Sequence, residues 1–253
     1  MRSLALLGVL VALPALAKPV RKTIAYEADT RLEGVLVYDD AVKTPRPGVL
    51  LVPNWLGINE ANLKQAELVA GKDYVIFVAD LYGKDVRPKD QSEAGKAAGA
   101  VKGDRPLMRK RAAAGLAAML AQKDAKLADG KTGAIGFCFG GTTVLELAKS
   151  GADVKGVVSF HGGLDAPLPL TEAPKAKILA LHGADDPTIK DEDKKAFMDD
   201  LRKAKADWQL VEYGGAVHSF TDVDAKLPGR AMYDEKTARR AYAAMRTFFF
   251  EVL

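Results

Sequence analysis

The stretch of residues 136–141, GFCFGG, constrains the fold of this chain more than any other part of the sequence. A short β-like run at residues 132–135 precedes it, and a helical pattern closed by Gly151 follows it. Glycines are needed beside a sharp turn of this kind, because a Cβ there would clash with the adjoining strand and helix. The sequence therefore predicts a strand–turn–helix unit with Cys138, the single cysteine of the chain, at its apex.

Two roles are open to Cys138. In a nucleophile elbow, the turn lifts the side chain above the strand end, where the N-terminus of the following helix stabilises a thiolate. The alternative is a buried free cysteine that packs as a small apolar residue. The strand–turn–helix context favours the nucleophile.

Residues 1–17 have the pattern of a secretory signal peptide. Arg2 precedes an apolar run at residues 4–13, and residues 15–17 form an A-x-A cleavage site. The apolar run is too short to span a bilayer. We predict cleavage after Ala17, export to the periplasm or the extracellular space, and no membrane association of the mature chain. One cysteine makes no intrachain disulfide, so an exported chain either buries this thiol or uses it.

The charge distribution gives no support for a nucleic-acid partner. The chain carries 37 lysines and arginines against 33 aspartates and glutamates, a net charge of +4, and the charges are interspersed without a basic block. No His/Cys/Asp cluster has the spacing of metal ligands. We expect a small-molecule partner, no metal or organic cofactor, and a monomer.

Hydrophobic runs alternate with helical patterns along residues 18–253. Two short alternating runs predict an antiparallel hairpin, and four apolar runs predict buried strands. Residues 207–213 are predicted as the last strand, and residues 229–253 largely as a C-terminal helix. The predicted strands lie at residues 22–27, 32–38, 48–53, 74–80, 153–160, 175–183 and 207–213, in addition to the strand before Cys138. This order predicts an α/β fold with a doubly wound, mostly parallel sheet, an antiparallel N-terminal edge hairpin and helices on both faces.

A catalytic thiol requires a base and a group that orients the base. The chain has three histidines; His161 and His182 each follow an apolar strand directly, whereas His218 lies in a glycine-rich loop after the last strand. In the order nucleophile, acid, histidine, His218 fits the position of the base. Asp185 and Asp186, in HGADDP, are both candidates for the acid, and both also suit a turn before proline.

Five motifs carry a resemblance to a known family: PNWLGIN, VADLYGK, GFCFGG, HGADDP and GAVHSF. Over residues 34–253 the chain resembles the dienelactone hydrolase family, which has the α/β-hydrolase fold. The resemblance implies a single α/β-hydrolase domain at residues 18–253. It also implies that Cys138 is the nucleophile, Asp186 the acid and His218 the base.

The resemblance also implies an oxyanion hole made by the backbone N–H groups of Trp55 and Phe139. Asn54, Tyr82 and Ser219 are then expected to line the site. Tyr82 and three further aromatic residues are candidates for an apolar pocket: Trp55, Phe137 and Phe139. Phe137 is equally suited to the core beneath the elbow.

Two departures from the family pattern bear on the substrate. Family members that open dienelactones have a glutamate before the oxyanion-hole residue, where it engages the resting thiol; this chain has Asn54, which cannot take a proton. They also hold the substrate carboxylate with arginines, one of them shortly after the histidine, where this chain has Thr221 and Asp222. Asp222 would repel an anion. Arg105 and Arg109 are predicted to be solvated charges.

The sequence thus predicts an exported hydrolase of a carboxylic ester or lactone, acting through a Cys-His-Asp triad and a thioester intermediate. A neutral or cationic ester, or a lactone other than dienelactone, fits the residues best. Acyl transfer or thioester hydrolysis by the same groups is an alternative. A catalytically impaired exported protein that binds a ligand or reacts through its thiol is a second alternative, supported by Asn54.

Overall fold

The computed structural model of the protein describes residues 19–168, 170 and 172–253. The predicted signal peptide at residues 1–17 lies outside the described residues, so its cleavage and the export of the chain stay predictions.

The described residues form ten strands and six helices in an alternating order. The strands are β1 (Val20–Glu27), β2 (Arg31–Tyr38), β3 (Arg46–Val52), β4 (Val75–Val78), β5 (Leu127–Phe137), β6 (Gly156–Phe160), β7 (Lys177–Gly183), β8 (Trp208–Tyr213), β9 (Lys226–Leu227) and β10 (Ala231–Met232). The helices are α1 (Glu60–Ala70), α2 (Gln91–Gly103), α3 (Arg105–Leu120), α4 (Phe139–Lys149), α5 (Asp191–Lys203) and α6 (Glu235–Val252).

Eight of the strands build one sheet in the order β1-β2-β4-β3-β5-β6-β7-β8. Strands β1 and β2 form an antiparallel hairpin, and β2 also pairs with β4 in the antiparallel sense. The remaining neighbours pair in parallel. The predicted fold class is therefore confirmed, and the carboxyl ends of β3 and of β5 to β8 meet along one edge of the sheet.

Successive side chains along a buried strand point to opposite faces of the sheet, so the strands contribute to two hydrophobic cores, one on each face. In β3, Leu50 and Val52 belong to the core that α2 to α5 cover, whereas Val49 and Leu51 belong to the core that α1 and α6 cover. Because both faces are covered, β3 is an almost continuous apolar run and shows no polar alternation.

The C-terminal helix begins later than predicted. Residues 229–232 are not helical: Gly229 has a φ of +71°, and β10 pairs with β9 in a small antiparallel sheet. Helix α6 starts only after Asp234, whose side chain accepts a hydrogen bond from the Thr237 N–H and so caps the helix. The Met232 N–H instead donates to the His218 carbonyl, which ties this hairpin to the loop after β8.

None of the helices in the described part of the chain is both long and apolar enough to cross a membrane.

Candidate active site

Cys138 occupies the sharp turn between β5 and α4. Its φ of +54° is strained for a residue with a side chain, and such strain persists only where the surroundings enforce it. A Cβ on Gly136 would lie 1.9 Å from the Gly140 carbonyl oxygen, and a Cβ on Gly140 would lie 2.0 Å from the Val52 carbonyl oxygen. The two glycines thus let β5, α4 and the end of β3 approach closely enough to form the turn.

Phe137, the last residue of β5, lies in the core beneath the elbow. It is 1 % exposed, and its ring stacks on Phe160 with the ring centroids 4.7 Å apart. Of the two positions considered from the sequence, the pocket and the core, the structure places Phe137 in the core.

The structure brings the predicted nucleophile, base and acid together in one hydrogen-bonded chain. His218 Nε2 lies 3.0 Å from Cys138 Sγ, and His218 Nδ1 lies 2.7 Å from Asp186 Oδ2. His218 is carried by the loop after β8 and Asp186 by the turn after β7, so the three side chains come from the carboxyl ends of three parallel strands, with β6 lying between β5 and β7. The imidazole can accept a proton from the thiol on one side while the carboxylate orients it on the other.

Asp186 is positioned by a residue that the sequence analysis did not identify. The backbone N–H and the hydroxyl of Thr188 both donate to Asp186 Oδ1, at 2.9 and 2.6 Å, which leaves Oδ2 to face His218. The Asp-Pro-Thr order is typical of such an Asx turn and was the available signal. Asp185, the alternative acid, is exposed, and its N–H donates to the Ala216 carbonyl.

The hydrogen bonds around His218 favour the protonated form of its imidazole. Burial alone would lower the pKa of His218, but the hydrogen bonds with Asp186 and Cys138 outweigh it and raise the pKa to about 10. Burial opposes ionisation of Asp186, yet the hydrogen bonds from His218 and Thr188 keep the pKa of this carboxyl below its usual value. Both directions are consistent with a protonated His218 imidazolium beside an ionised Asp186 carboxylate.

Replacing Asp186 by asparagine is expected to destabilise the protein in a pH-dependent way. Because the pKa of His218 rises from 6.5 to about 10 on folding, its contribution to stability is fully present below pH 6.5 and is lost as the pH rises through about 10. The difference in free energy of unfolding between the wild type and the Asp186→Asn variant should therefore be largest between pH 3.8 and pH 6.5, and should shrink toward pH 10 as His218 loses its proton and at lower pH as Asp186 gains one. Guanidinium denaturation across this range measures it, with Asp185→Asn as the control. A difference that does not change with pH would contradict this assignment.

The predicted oxyanion hole consists of the backbone N–H groups of Phe139 and Trp55. Phe139 is the first residue of α4 and Trp55 lies on the loop after β3, and neither N–H donates to another group in the described part of the chain. Tyr82 holds this loop, since its hydroxyl donates to the Trp55 carbonyl at 2.9 Å and its ring packs on Phe139 with centroids 5.5 Å apart. Tyr82 therefore contacts both residues of the predicted hole.

Asn54 is fixed by the residues around it. Its Oδ1 accepts hydrogen bonds from the Leu56 N–H and from Asn62 Nδ2, each at 3.0 Å, so the amide Nδ2 points the other way, toward Asp222 Oδ2 at 3.5 Å. Asp222 is half-buried and forms no ion pair within the described residues. Burial raises the pKa of its carboxyl. A carboxylate without a counter-charge thus lies beside the loop that carries Trp55.

Arg105 and Arg109 are not the solvated charges that the sequence predicted. Arg105 is 4 % exposed and its Nη2 lies 2.5 Å from Asp165 Oδ2, while Arg109 Nη2 lies 2.7 Å from the buried Glu146 Oε2. Burial of Glu146 within the second turn of α4 requires this partner, because an unpaired buried carboxylate is costly. Both arginines act as structural counter-charges.

Ser219 and His161 share an unusual backbone conformation near His218. Ser219, predicted to line the site, has a φ of +58°, and its carbonyl accepts the Asp222 N–H. His161, which the sequence analysis did not assign to the site, has a φ of +40° and packs against the His218 ring. Its position after an apolar strand, at the edge where the other reactive groups lie, was the signal that could have found it.

No group of three or more His, Cys, Asp or Glu side chains that could hold a metal ion occurs among residues 19–168, 170 and 172–253.

The sheet order, the elbow and the histidine loop together define an α/β-hydrolase. Similarity to solved structures agrees with this class. A dienelactone hydrolase-like promiscuous phosphotriesterase, P91 from metagenomic libraries, is 37% identical with a TM-score of 0.84, over 92% of this chain and 98% of that one. The structure m3DLH is 36% identical with a TM-score of 0.86, over 93% of this chain and 99% of that one.

Sequence comparison defines the family. A putative carboxymethylenebutenolidase of Synechocystis sp. is 25% identical over 80% of this chain and 85% of its own length. The model of the dienelactone hydrolase family matches residues 32–253. The chain belongs to the dienelactone hydrolase family and is a dienelactone hydrolase-like hydrolase.

Proposed function

We propose that this protein is an exported hydrolase of neutral or cationic carboxylic esters or lactones, and that it acts through Cys138, His218 and Asp186 with a thioester intermediate. The single observation that supports the proposal most strongly is the contact of His218 with both partners, at 3.0 Å to Cys138 Sγ and 2.7 Å to Asp186 Oδ2. A thiol in hydrogen-bond contact with an oriented imidazole is the arrangement that nucleophilic catalysis requires.

Acylation begins with the proton of Cys138 on His218. The thiolate attacks the carbonyl carbon, a C–S bond forms, and the carbonyl oxygen becomes an oxyanion that the N–H groups of Phe139 and Trp55 stabilise. When the tetrahedral intermediate collapses, the bond to the leaving oxygen breaks. The His218 imidazolium gives its proton to this oxygen, which leaves as an alcohol and yields the thioester of Cys138.

Deacylation reverses the roles of the same groups. His218, now neutral, takes a proton from a water molecule as the water attacks the thioester carbonyl. The second oxyanion occupies the same pair of N–H groups. Its collapse breaks the C–S bond, releases the carboxylic acid and returns the proton to the Cys138–His218 pair, while Asp186 keeps the ring oriented throughout.

The environment of Asn54 supports direct activation of the thiol by His218. Asn54 donates toward Asp222 and accepts from Asn62 and Leu56, so this position offers the thiol no proton acceptor. The raised pKa of His218, about 10, supports an imidazolium that needs no further acid or base. The alternative of an impaired protein that only binds a ligand predicts no turnover of any ester or lactone, which a panel of activated substrates tests.

Hydrolysis of phosphotriesters is a second candidate activity. It is supported by the 37% identity with a dienelactone hydrolase-like protein described as a promiscuous phosphotriesterase. The two N–H donors can stabilise a phosphoryl oxygen as they would a carbonyl oxygen. In this reaction Cys138 would attack phosphorus, an S–P bond would form, the P–O bond to the leaving alcohol would break, and His218 would protonate that oxygen. The intermediate would be a phosphorothiolate instead of a thioester, and water activated by His218 would hydrolyse its S–P bond.

The proposal is tested with the mature protein and a panel of activated substrates: aryl esters, lactones and an aryl phosphotriester. We expect hydrolysis of the esters or lactones and, after acid quenching, a mass increase of one acyl group on the peptide that contains Cys138. Turnover without an acyl-cysteine would contradict the proposed mechanism. No turnover of any ester or lactone would contradict the proposed activity. Adding alcohols or thiols as acyl acceptors distinguishes acyl transfer from hydrolysis, because a transferase forms the new ester or thioester.

Export is tested by recovering the protein from the periplasmic and extracellular fractions and sequencing its N-terminus, which should begin at residue 18.

Asp222 should set a preference for the charge of the substrate. A choline ester, its neutral tert-butyl isostere and an ester whose alcohol ends in a carboxylate differ in charge at the same end of the alcohol, and we expect kcat/KM to fall in that order. In Asp222→Asn the ratio of the cationic to the neutral ester should fall about fivefold, as expected for the loss of one partly solvated charge pair. Asp224→Asn, which removes an exposed carboxylate two residues away, is the matched control. An unchanged ratio in Asp222→Asn would remove Asp222 from the substrate site.

A further inference from the structure

His161 is a buried polar residue that the proposed chemistry does not use. It follows β6 directly, is 1 % exposed and has a φ of +40°. A residue with a side chain adopts this conformation only where its surroundings enforce it, and such residues cluster at functional sites. The Gly162 position is equally tight, since a Cβ there would lie 2.7 Å from the Thr142 nitrogen, in the first turn of α4.

Three side-chain contacts of His161 reach the loop that carries the base, and a fourth reaches the Phe137 ring beneath the elbow, with centroids 6.3 Å apart. His161 Nε2 lies 2.8 Å from Thr221 Oγ1. Its ring meets the His218 ring edge to face, with centroids 5.2 Å apart, and it meets the buried Phe220 ring in the same way at 5.0 Å. Because His218, Phe220 and Thr221 are nearly consecutive, His161 supports the inner side of this loop at three points.

His161 is held in its neutral form. Its Nδ1 is buried and has no hydrogen-bond partner in the described part of the chain. A buried N–H without an acceptor is rare, so these contacts favour the tautomer with the proton on Nε2, from which Thr221 Oγ1 accepts. Burial, followed by the neighbouring His218, lowers the pKa of His161 well below its usual value. The titratable groups that face it are His218, Asp186 and His182, of which Asp186 alone favours a charged ring.

We propose that His161 is a positioning residue for the base, and that its hydrogen bond to Thr221 keeps His218 Nε2 directed at Cys138 Sγ. This inference rests on the proposed function. A neutral ring at this place also excludes water from one face of His218 without competing with the imidazolium charge. A protonated or basic residue there would repel the imidazolium, and an aliphatic residue would leave Thr221 without its donor.

The experiment removes the hydrogen bond from the Thr221 side, where the backbone is unstrained. Thr221→Val keeps the shape of the side chain and removes the acceptor, whereas Thr221→Ser keeps the hydroxyl. We expect Thr221→Val to lower kcat on an activated ester about 10- to 100-fold with KM within about twofold, because a small misplacement of a catalytic group costs rate more than binding. Thr221→Ser should restore most of kcat. His161→Phe keeps an aromatic ring and removes the hydrogen-bond donor. The double variant with Thr221→Val and His161→Phe should lose no more kcat than either single variant, because both substitutions remove the same hydrogen bond.

A second measurement does not depend on the ester activity. Alkylation of Cys138 by iodoacetamide, followed across pH, reports the contact between the thiol and His218. In Thr221→Val the acid limb of the alkylation profile should move to higher pH, and in Thr221→Ser it should stay at the wild-type position. If the wild type hydrolyses no ester, the proposed function fails while the alkylation profiles still decide the role of His161.

His182→Gln is the matched control, since His182 is a second buried histidine that follows an apolar run in an H-G step, with its Nδ1 also unpaired in the described part of the chain. We expect wild-type kcat and a wild-type alkylation profile from this variant. The inference is overturned if Thr221→Val matches Thr221→Ser in both measurements, or if His182→Gln shows the same loss. If His161→Phe does not fold, the Thr221 pair decides the question alone.

Discussion

Replacing Cys138 by alanine is expected to lower kcat/KM for an activated aryl ester by roughly 10³- to 10⁶-fold, which is the range for loss of a nucleophile that acts as a unit with its base. The proposed mechanism gives this large effect because no other group can form the acyl intermediate. The substitution should leave the fold intact, since the Cys138 side chain is only half-buried and caps no backbone group of α4. Steady-state kinetics on the ester panel and a thermal denaturation curve measure the two expectations.

Cys138→Ser provides the control for this prediction. Serine keeps a nucleophilic atom within reach of His218, so we expect a residual rate above that of alanine and an oxygen ester in place of the thioester after quenching. Iodoacetamide should block the wild type with one label per chain, because Cys138 is the single cysteine, and should label neither variant. Equal hydrolysis by the wild type and Cys138→Ala would eliminate the thiol mechanism.

The sequence predicted the elbow and the groups that meet at it because each depends on local chemistry. The turn at Cys138 requires flanking glycines for steric reasons, and the buried strands are apolar because helices cover both faces of the sheet. Once the sheet is parallel, the residues after β5, β7 and β8 must lie along one edge. Cys138, His218 and the pair Asp185 and Asp186 were therefore predictable as neighbours, whereas the choice of Asp186 rested on the family resemblance and the distances were not predictable.

His161 was not identified because its role depends on contacts between strands distant in the chain. The sequence places His161 and His182 in the same context, each after an apolar run and before glycine. Only the pairing of β6 between β5 and β7 puts His161 against the His218 loop. The positive φ that directs its ring there leaves no pattern in a single sequence, because histidine is not a residue that such a backbone requires.

The charged residues were the least predictable part of the chain. Arg109 lies on a helix with polar neighbours, and its pairing with Glu146 depends on the packing of α3 against α4. The start of α6 was predicted wrongly for a similar reason. The sequence pattern predicted a helix from Gly229 onward, but Asp234 caps the helix, and the hydrogen bond from Met232 to His218 keeps the preceding residues extended. Tertiary contacts overrode local preference in both places.

Replacing Gly140 by alanine is expected to destabilise the protein by about 3 kcal/mol or more, at the upper end of the cost of overpacking a core. The added Cβ would lie 2.0 Å from the Val52 carbonyl oxygen and 2.6 Å from the Pro53 carbonyl oxygen. Both obstacles are backbone atoms, so relief requires α4 to move away from the end of β3. Since total stability is commonly only about 5–15 kcal/mol, the soluble yield should fall as well.

The same displacement should impair catalysis in whatever protein still folds. Val52 and Pro53 lead directly into the loop of Trp55, whereas Gly140 follows Phe139, so moving the two segments apart separates the two N–H groups of the predicted oxyanion hole. Gly99→Ala is the matched control: Gly99 lies in α2 with no atom near the added Cβ, and alanine there should stabilise the helix by up to about 1 kcal/mol. Guanidinium denaturation and kcat are measured on both variants. If Gly140→Ala is as stable as Gly99→Ala and equally active, the close approach of α4 to β3 is not what builds the elbow.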